Sequence, residues 1–310
     1  MTGTWRGTGT EPVRERAVAT VVVIGASSGI GRASAHRFAE RGDRVVLASR
    51  SEEKLARVAE ECRDLGAADV TVVVTDVLDQ SAVDALVITA LAEHGPIDVV
   101  VFSAGVMAYG SVDAVPADVF TRVVDTAVHG TANVARTILP IFRDQGAGTF
   151  IVITSILATV PLPEMGAYIT GKWGQLGLAR ILQLETRDDP GVEVCTVSPG
   201  AVDTPIYRAA ANFVGRVGQP PPPVASAEQV ADAVIRCADR PRKNISVGPT
   251  NRLITAGFRL LPPIYDALAG PLLRLVALAD ERVGPTNGNV FDPDATPSPE
   301  APLAERVAAR

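Results

Sequence analysis

A phenol and an ammonium group lie four residues apart in the segment AYITGKWGQLG, where Tyr168 precedes Lys172. If the segment is helical, side chains at this spacing lie on the same face. A phenol exchanges protons poorly at neutral pH because its pKa is about 10, but a fixed cation beside it stabilises the phenolate and lowers that pKa. The pair therefore has the chemistry of an acid/base device. The alternative is an aromatic core residue beside a solvated lysine.

A glycine-rich turn is the second candidate. The run GASSGIG places glycines at positions 25, 29 and 31, directly after an apolar run and at the start of a segment with helical periodicity. Glycines permit a tight turn and close approach of the backbone to a ligand, while the free N–H groups and the dipole of the helix attract an anion. In this context a turn of the form G-x-x-x-G-x-G predicts the binding of a dinucleotide pyrophosphate.

The end of the next apolar run indicates which dinucleotide binds. The run ends in LASRS, so Ser49 and Arg50 stand where an acid would accept a hydrogen bond from the ribose 2′-hydroxyl of NAD. No carboxylate opposes a 2′-phosphate there, and an arginine can pair with one through two parallel hydrogen bonds. We therefore expect NADP(H) to be preferred over NAD(H). The alternative is that Arg50 is a solvated loop residue.

Composition places the chain among globular proteins and excludes several classes. Its 310 residues are 47% hydrophobic and 21% charged, and the net charge of −6 argues against a nucleic-acid partner. The three cysteines and three histidines are scattered, so we expect neither a disulfide framework nor a metal site. No secretory signal is visible at the N-terminus, and we expect a cytoplasmic protein with reduced thiols.

Apolar, β-branched runs alternate with longer amphipathic segments. Strands are predicted at 17–25, 43–49, 69–75, 97–105, 148–155, 191–200 and 244–248, and helices at 29–42, 51–66, 81–95, 117–145, 166–187 and 227–240. Near-continuous apolar strands between helices specify a parallel sheet that is covered on both faces, and right-handed crossovers give a doubly wound (Rossmann) α/β fold. We therefore predict a single domain over 17–250 with a sheet of about seven strands.

The flanking segments lack this alternation. Residues 1–16 are predicted to be a flexible N-terminal segment, and 283–310 a disordered tail. Between the domain and that tail, 251–282 is an apolar helical segment that could dock on the body of the protein, on a second subunit or on a membrane surface. Charged residues and prolines make 260–279 a poor spanning helix, so a membrane contact through 258–279 would be peripheral.

Six short motifs over roughly 17–250 resemble, in order, those of the short-chain dehydrogenase/reductase family. They are GASSGIG (25–31), TDV (75–77), FSAG (102–105), ITSILA (153–158), YITGK (168–172) and SPGAVDT (198–204). The resemblance implies three catalytic residues, which are Ser155, Tyr168 and Lys172. It implies cofactor contacts at Gly25, Ser27, Ser28, Gly29, Ile30, Gly31, Arg50, Asp76, Val77, Ala104, Gly105, Tyr168, Lys172, Pro199, Gly200, Val202 and Thr204, with Asp76 at the adenine edge.

The resemblance also implies a mechanism. Tyr168 would be the general acid/base, Lys172 would lower its pKa and hold the nicotinamide ribose, and Ser155 would hydrogen-bond the substrate oxygen. Hydride transfer between the nicotinamide and a carbinol carbon would interconvert a ketone or aldehyde with an alcohol. Members of the family are commonly homodimers or homotetramers.

One residue departs from the family pattern. In VVDTAVHGT (123–131) the family has an asparagine that anchors a water in the proton relay from the lysine, and this chain has Ala127. The relay is then weaker or rerouted, and His129 is a poor substitute because it points to another helix face. We expect Ala127→Asn to raise turnover, whereas no change would indicate a rerouted relay. The alternative function is a cofactor-binding regulatory or scaffold protein with weakened catalysis.

The substrate pocket is predicted to be apolar. The segment 203–226 is the expected lid over the nicotinamide, and apolar residues also precede Tyr168. Such a lining favours a lipophilic ketone or secondary alcohol over a phosphorylated or acidic compound. The residues expected to line the pocket are Leu157, Val160, Leu162, Met165, Ile206, Tyr207, Phe213, Val214 and Val217.

Overall fold

Eleven strands are present in residues 17–295, the part of the chain that the computed structural model describes. In chain order they are β1 (Thr20–Ile24), β2 (Arg44–Ser49), β3 (Asp69–Val74), β4 (Val99–Phe102), β5 (Ala108–Tyr109), β6 (Gly148–Ile153), β7 (Val192–Pro199), β8 (Ala211–Asn212), β9 (Arg216–Gly218), β10 (Asn244–Val247) and β11 (Leu278–Arg282). Seven of them form one parallel sheet in the order β10-β7-β6-β4-β1-β2-β3. The order reverses between β1 and β4, which confirms the predicted doubly wound α/β fold.

Helices cover both faces of the sheet. They are α1 (Gly29–Glu40), α2 (Glu52–Asp64), α3 (Gln80–His94), α4 (Ala117–Gln145), α5 (Gly166–Glu185), α6 (Ile206–Ala209), α7 (Ala227–Asp239), α8 (Asn251–Leu260) and α9 (Pro262–Leu272). One hydrophobic cluster lies between the sheet and α1, α2 and α7, and another lies between the sheet and α3, α4 and α5. Strands β1, β4 and β6 are fully buried, and for that reason their sequences are continuous apolar runs.

The three cysteines of the chain contribute to these cores. Cys62, Cys195 and Cys237 are all buried and none forms a disulfide. Burial among apolar side chains raises the pKa of the Cys62 thiol to about 12. This thiol therefore packs as a small apolar group and does not ionise near neutral pH.

The segment 251–282, predicted to be an apolar helical segment, contains more than one element. It forms α8, α9, a single π-helical turn (Leu273–Ala277) and strand β11, which pairs antiparallel with β9. The first helix ends before Pro262 because proline lacks the N–H that would continue the hydrogen-bond ladder. None of the described helices combines the length and the apolar character that crossing a membrane requires.

Residues 283–295 are the part of the predicted tail that the structure describes, and we call them the C-terminal strap. Val283 and Val290 are buried in the body of the protein. Thr286 and Asn212 exchange two backbone hydrogen bonds, of 2.8 and 3.0 Å. The burial of these two side chains and the two hydrogen bonds hold the strap in place, although its local sequence is polar and rich in proline and glycine. The remainder of the predicted tail, 296–310, and the predicted N-terminal segment 1–16 lie outside the described residues.

Candidate active site

The glycine turn after β1 packs against the end of β4, at the point where the strand order reverses. Gly25 has φ +86°, and a Cβ atom on it would lie 2.5 Å from the backbone nitrogen of Ala104. A Cβ atom on Gly31 would lie 2.1 Å from the carbonyl oxygen of Gly25. Ser28, the N-cap residue of α1, makes no side-chain hydrogen bond to the first turn. This backbone cradle fits the pyrophosphate of a dinucleotide, which is what the sequence predicts.

A cleft of about 890 Å³ opens at this edge of the sheet. It is lined by residues that follow β1, β2, β3, β4, β6 and β7, as expected for a ligand site in a doubly wound fold. The cleft brings together the predicted site residues Gly25, Ser27, Ser28, Gly29, Ile30, Arg50, Asp76, Val77, Ala104, Gly105, Ser155, Tyr168, Lys172, Pro199, Gly200, Val202 and Thr204. Gly31 is the exception, because it lies behind the turn and supports it from there.

The three predicted catalytic residues converge on one side of the cleft. Ser155 is the second residue after β6, and Tyr168 and Lys172 lie in the first two turns of α5. The Ser155 hydroxyl accepts a hydrogen bond of 3.1 Å from the backbone N–H of Leu157 and also contacts the Tyr168 hydroxyl. The Lys172 ammonium lies 5.8 Å from the centre of the Tyr168 ring.

The pKa of Tyr168 is raised, whereas the sequence analysis expects Lys172 to lower it. Burial raises the pKa of Tyr168 above its ordinary value, and the hydrogen bond with Ser155 opposes this only in part. Burial also lowers the pKa of Lys172 to about 7. The reason is that both groups are removed from water, which disfavours the phenolate and the ammonium alike.

A buried glutamine that the sequence analysis missed holds Lys172. The ammonium donates 3.0 Å to the carbonyl oxygen of Ile153 and 2.8 Å to Oε1 of Gln175. Gln175 is fully buried, and its Nε2 donates 2.9 Å to the hydroxyl of Thr131. That hydroxyl in turn donates 2.7 Å to the backbone carbonyl of Ala127. The sequence could have indicated this partner, because Gln175 is a polar residue one turn after Lys172 in an otherwise apolar stretch.

The other residue considered for the relay lies elsewhere. The His129 side chain is 68% exposed, and its Nδ1 lies 3.0 Å from the Asp125 carboxylate. Ala127 is buried on the face of α4 that packs against α5, and a Cβ atom on Gly171 of α5 would lie 3.1 Å from the Cβ of Ala127. The helix-face argument that excluded His129 therefore holds.

At the opposite end of the cleft, two predicted cofactor residues already have protein partners. The Arg50 guanidinium donates 2.7 Å to the carbonyl oxygen of Asn289 and 2.8 Å to that of Val290, both in the strap. Arg50 is therefore not the solvated loop residue of the alternative, and burial lowers its pKa. The Asp76 carboxylate, expected at the adenine edge, forms an ion pair with Arg122 and accepts 3.0 Å from the N–H of Leu78. Arg122, which the sequence analysis missed, also lines the cleft.

The cleft is apolar beyond the catalytic residues. Leu157, Leu162, Met165, Ile206 and Tyr207 line it as expected, together with Met107, Tyr109, Leu273 and Ala277. Val160 and Val217 are buried elsewhere, and Phe213 and Val214 line a separate, smaller cavity. Across residues 17–295, no cluster of three or more His, Cys, Asp or Glu side chains is arranged to hold a metal ion.

Comparison with known proteins agrees with this geometry. Residues 19–213 match the family model of the short chain dehydrogenases. The chain is 38% identical over 221 residues to a 1-deoxy-11-beta-hydroxypentalenate dehydrogenase of Streptomyces avermitilis, a match that covers 69% of this chain and 79% of the relative.

Two solved structures are also similar. A short chain dehydrogenase/reductase from Burkholderia phymatum in complex with NAD superimposes with a TM-score of 0.71 at 27% identity, covering 82% of this chain and 96% of that one. An alcohol dehydrogenase from the archaeon Thermococcus sibiricus, complexed with 5-hydroxy-NADP, has a TM-score of 0.65 at 26% identity and covers 74% and 96%. With the fold, the glycine cradle and the family match in agreement, this chain belongs to the short-chain dehydrogenase/reductase family of oxidoreductases.

Proposed function

We propose that the protein is an NADP(H)-dependent oxidoreductase that interconverts a lipophilic ketone or aldehyde with the corresponding alcohol. One observation carries the proposal. Ser155, Tyr168 and Lys172 meet on one side of a single cleft whose other side is the glycine cradle. A substrate between them would therefore meet a hydrogen-bond donor and a proton donor at the same carbon–oxygen group.

Each residue of the site would have a separate role in the reaction. The cofactor would supply the hydride, and Gly25, Gly29 and the N-terminus of α1 would hold its pyrophosphate. The Ser155 hydroxyl would donate to the substrate oxygen, where negative charge develops, and Tyr168 would deliver the proton to the same oxygen. The raised pKa of Tyr168 favours this direction, because the phenol keeps its proton at neutral pH. Lys172 would hold the nicotinamide ribose and, while protonated, stabilise the phenolate that remains.

Preference for NADP(H) is supported by the cations beside the end of β2. Arg50 and Lys54 line the cleft there, and no carboxylate follows β2 directly in the sequence. We expect Arg50→Asp to invert the ratio of NADPH to NADH affinities, measured by fluorescence titration. An unchanged ratio would exclude Arg50 as the residue that reads the 2′-phosphate.

The lipophilic substrate class is supported by the apolar lining beyond Tyr168. Met107, Leu157, Leu162, Met165 and Ile206 present few polar atoms to a substrate. The relative from Streptomyces avermitilis is named for a hydroxy compound, which is compatible with an alcohol as one member of the reacting pair. Preference for a small charged metabolite over bulky neutral ketones would contradict this assignment.

The decisive experiment combines turnover with cofactor binding. Purified full-length protein is assayed with NADPH and a panel of lipophilic ketones, beside Tyr168→Phe and the control Tyr265→Phe, whose hydroxyl donates to Pro161 outside the catalytic group. We expect Tyr168→Phe to reduce turnover by at least about 100-fold while NADPH still binds, because only the proton donor is lost. Equal turnover in the two variants would refute the assignment of Tyr168.

The second candidate is a cofactor-binding regulatory or scaffold protein. The observation in its favour is that buried Ala127 has no polar side chain to anchor a relay water. The same experiment separates the two functions. NADPH binding without turnover of any ketone or alcohol in the wild type would favour the second candidate.

We also propose that the protein forms a homodimer or homotetramer through α5. Trp173, Gly177, Ile181 and Leu184 form an exposed stripe at helical spacing on that helix, and a second copy of the chain is the occupant that the family resemblance implies. We expect Ile181→Glu to lower the oligomer mass in sedimentation velocity. An unchanged mass would place the subunit contact elsewhere.

For α8 and α9 we propose peripheral contact of a cytoplasmic protein with an anionic membrane surface. The two helices expose large aliphatic side chains, among them Leu253, Leu260, Ile264 and Leu268. The two helices carry two arginines, Arg252 and Arg259, and one aspartate, Asp266, in a chain of net charge −6, so their own net charge is positive. We expect co-sedimentation with phosphatidylserine vesicles that decreases with salt and is lost in Leu260→Ser. Equal partition to the soluble fraction with and without vesicles would refute the contact.

A further inference from the structure

The C-terminal strap crosses the end of the cleft where the adenosine of a dinucleotide would lie. Asn289, Pro293 and Ala295 belong to the cleft lining. The first part of the strap is anchored, because Val290 is fully buried and the N–H of Asn289 donates 2.8 Å to the carbonyl oxygen of Ala209. The last five described residues, 291–295, form the tip of the strap, and they are held in a different way.

Beside a hydrogen bond of 3.4 Å from the Arg50 guanidinium to the carbonyl oxygen of Phe291, the tip is held through the Asp294 carboxylate at the start of α2. Asp294 accepts a hydrogen bond of 2.7 Å from the Ser51 hydroxyl, and its carboxylate lies 2.9 Å from the Lys54 ammonium. Lys54 also donates to the carbonyl oxygen of Pro293. These contacts lower the pKa of Asp294, so its side chain is an anion at neutral pH. A hydroxyl, an ammonium and the N-terminus of a helix thus surround one anion of the protein itself.

The Asp294 carboxylate lies beside the residues after β2, which in this type of fold contact the ribose 2′ position of the cofactor. In doubly wound dinucleotide-binding domains the residues after β2 contact the 2′-hydroxyl or the 2′-phosphate. Ser51 and Lys54 follow β2 by two and five residues, and Arg50, between β2 and them, also lines the cleft. A phosphate monoester, with more negative charge and three acceptor oxygens, suits the same donors as the carboxylate.

We propose that Asp294 competes with the 2′-phosphate of NADP(H) for Ser51 and Lys54, so that NADP(H) has to displace the strap tip and NAD(H) does not. The inference rests on the proposed cofactor dependence and assigns Asp294 as a residue that sets cofactor specificity. Val290 keeps the strap attached during this displacement, so the movement is confined to 291–295. The Asp294 side chain is 52% exposed, which lets the tip leave without disturbing the core.

The experiment compares three forms of the full-length chain: wild type, Asp294→Asn and the control Glu60→Gln. Glu60 is exposed on α2 and its substitution changes the net charge equally, two turns away from Lys54. We expect Asp294→Asn to tighten NADPH binding about fivefold or more, the equivalent of one partly exposed ion pair, and to leave NADH binding within about twofold. The control should change neither affinity.

A second measurement uses only the wild-type protein and requires neither turnover nor the Asp294→Asn variant. Hydrogen exchange of the backbone amides of residues 291, 292, 294 and 295 is measured in the wild type with 2′,5′-ADP and with 5′-ADP. We expect faster exchange with 2′,5′-ADP alone, because only that fragment carries the competing phosphate.

The outcomes separate the two proposals. Binding of both cofactors with an unchanged affinity ratio in Asp294→Asn, or equal exchange with the two fragments, overturns the competition and leaves the oxidoreductase proposal intact. Failure of NADPH and NADH to bind any of the three forms overturns the cofactor dependence itself.

Discussion

Two substitutions of Gln175 should move the pKa of Lys172 in opposite directions. In the wild type that pKa is about 7, with the ammonium held by the Ile153 carbonyl and by Oε1 of Gln175. Gln175→Leu removes a buried hydrogen bond to a charged group, which contributes roughly 1.5–3 kcal/mol. Since one pKa unit corresponds to about 1.4 kcal/mol, we expect a decrease of about one to two units.

Gln175→Glu should raise the pKa of Lys172. A carboxylate about 4 Å from the ammonium attracts it by roughly 4 kcal/mol at an effective dielectric constant of ~20. Burying the carboxylate costs about half of that or more, because the penalty is several kcal/mol per ion. At most about 2 kcal/mol of attraction then remains, so we expect the pKa of Lys172 to rise by about one unit. The two variants should bracket the wild type, with Lys172 mostly neutral at pH 7 in the leucine variant and mostly charged in the glutamate variant.

The small number of lysines makes the measurement direct. The chain contains three, at positions 54, 172 and 243. Protein labelled with ¹³C at the lysine ε-carbon should therefore give three signals, and Lys172→Arg assigns the relevant one. A titration of the cofactor-free protein between pH 5 and 10 then follows Lys172 alone. A midpoint that stays the same in both variants, or that moves in the same direction in both, would refute the role given to Gln175.

Three further predictions follow from single contacts. The hydrogen-bond chain from Lys172 through Gln175 and Thr131 to the Ala127 carbonyl is a rerouted relay, so Ala127→Asn should raise turnover by less than about threefold in the wild type, instead of the larger increase that the family pattern implies. In Gln175→Leu, which breaks this chain, Ala127→Asn should raise turnover by about tenfold; equal effects in both backgrounds would show that the two positions are independent. Gly31→Ala should destabilise the protein in urea unfolding by about 1–3 kcal/mol, because its Cβ would lie 2.1 Å from a backbone oxygen of the glycine turn. The control Gly257→Ala, at a position of α8 with open space around it, should not destabilise it. Tyr109→Phe should leave the free energy of unfolding unchanged or raise it by about 1 kcal/mol, because the buried Tyr109 hydroxyl has no hydrogen-bond partner in the described part of the chain. If the variant is as stable as the wild type but has lost turnover, that hydroxyl is assigned to substrate binding.

The sheet and the position of the site could be predicted because both depend on local patterns. Continuous apolar runs identify buried strands, and a parallel sheet brings the carboxyl ends of those strands to one edge. The residues that follow the strands can therefore be placed in one cleft without any knowledge of side-chain packing; they include Gly25, Arg50, Asp76, Ser155 and Gly200. Ser51 was also identifiable as an N-cap from its residue type, and its hydroxyl accepts the N–H of Lys54 in the structure.

What could not be predicted depends on residues that are distant in the sequence. Val290 is buried against elements far earlier in the chain, and nothing in its polar surroundings marks it as a core residue. The ion pair of Asp76 with Arg122 joins residues 46 positions apart. The direction of the Tyr168 pKa shift depends on how completely the fold buries the phenol, and the spacing to Lys172 carries no information about that burial.

The burial of all three cysteines has a practical consequence for studying the strap. Because Cys62, Cys195 and Cys237 lie inside the protein, native thiols should react slowly with maleimide dyes. A single cysteine introduced at Phe291, a residue of the strap tip that is 43% exposed, could therefore be labelled selectively without first removing the native ones. A fluorophore at that position would report attachment and release of the tip in individual molecules as each cofactor arrives.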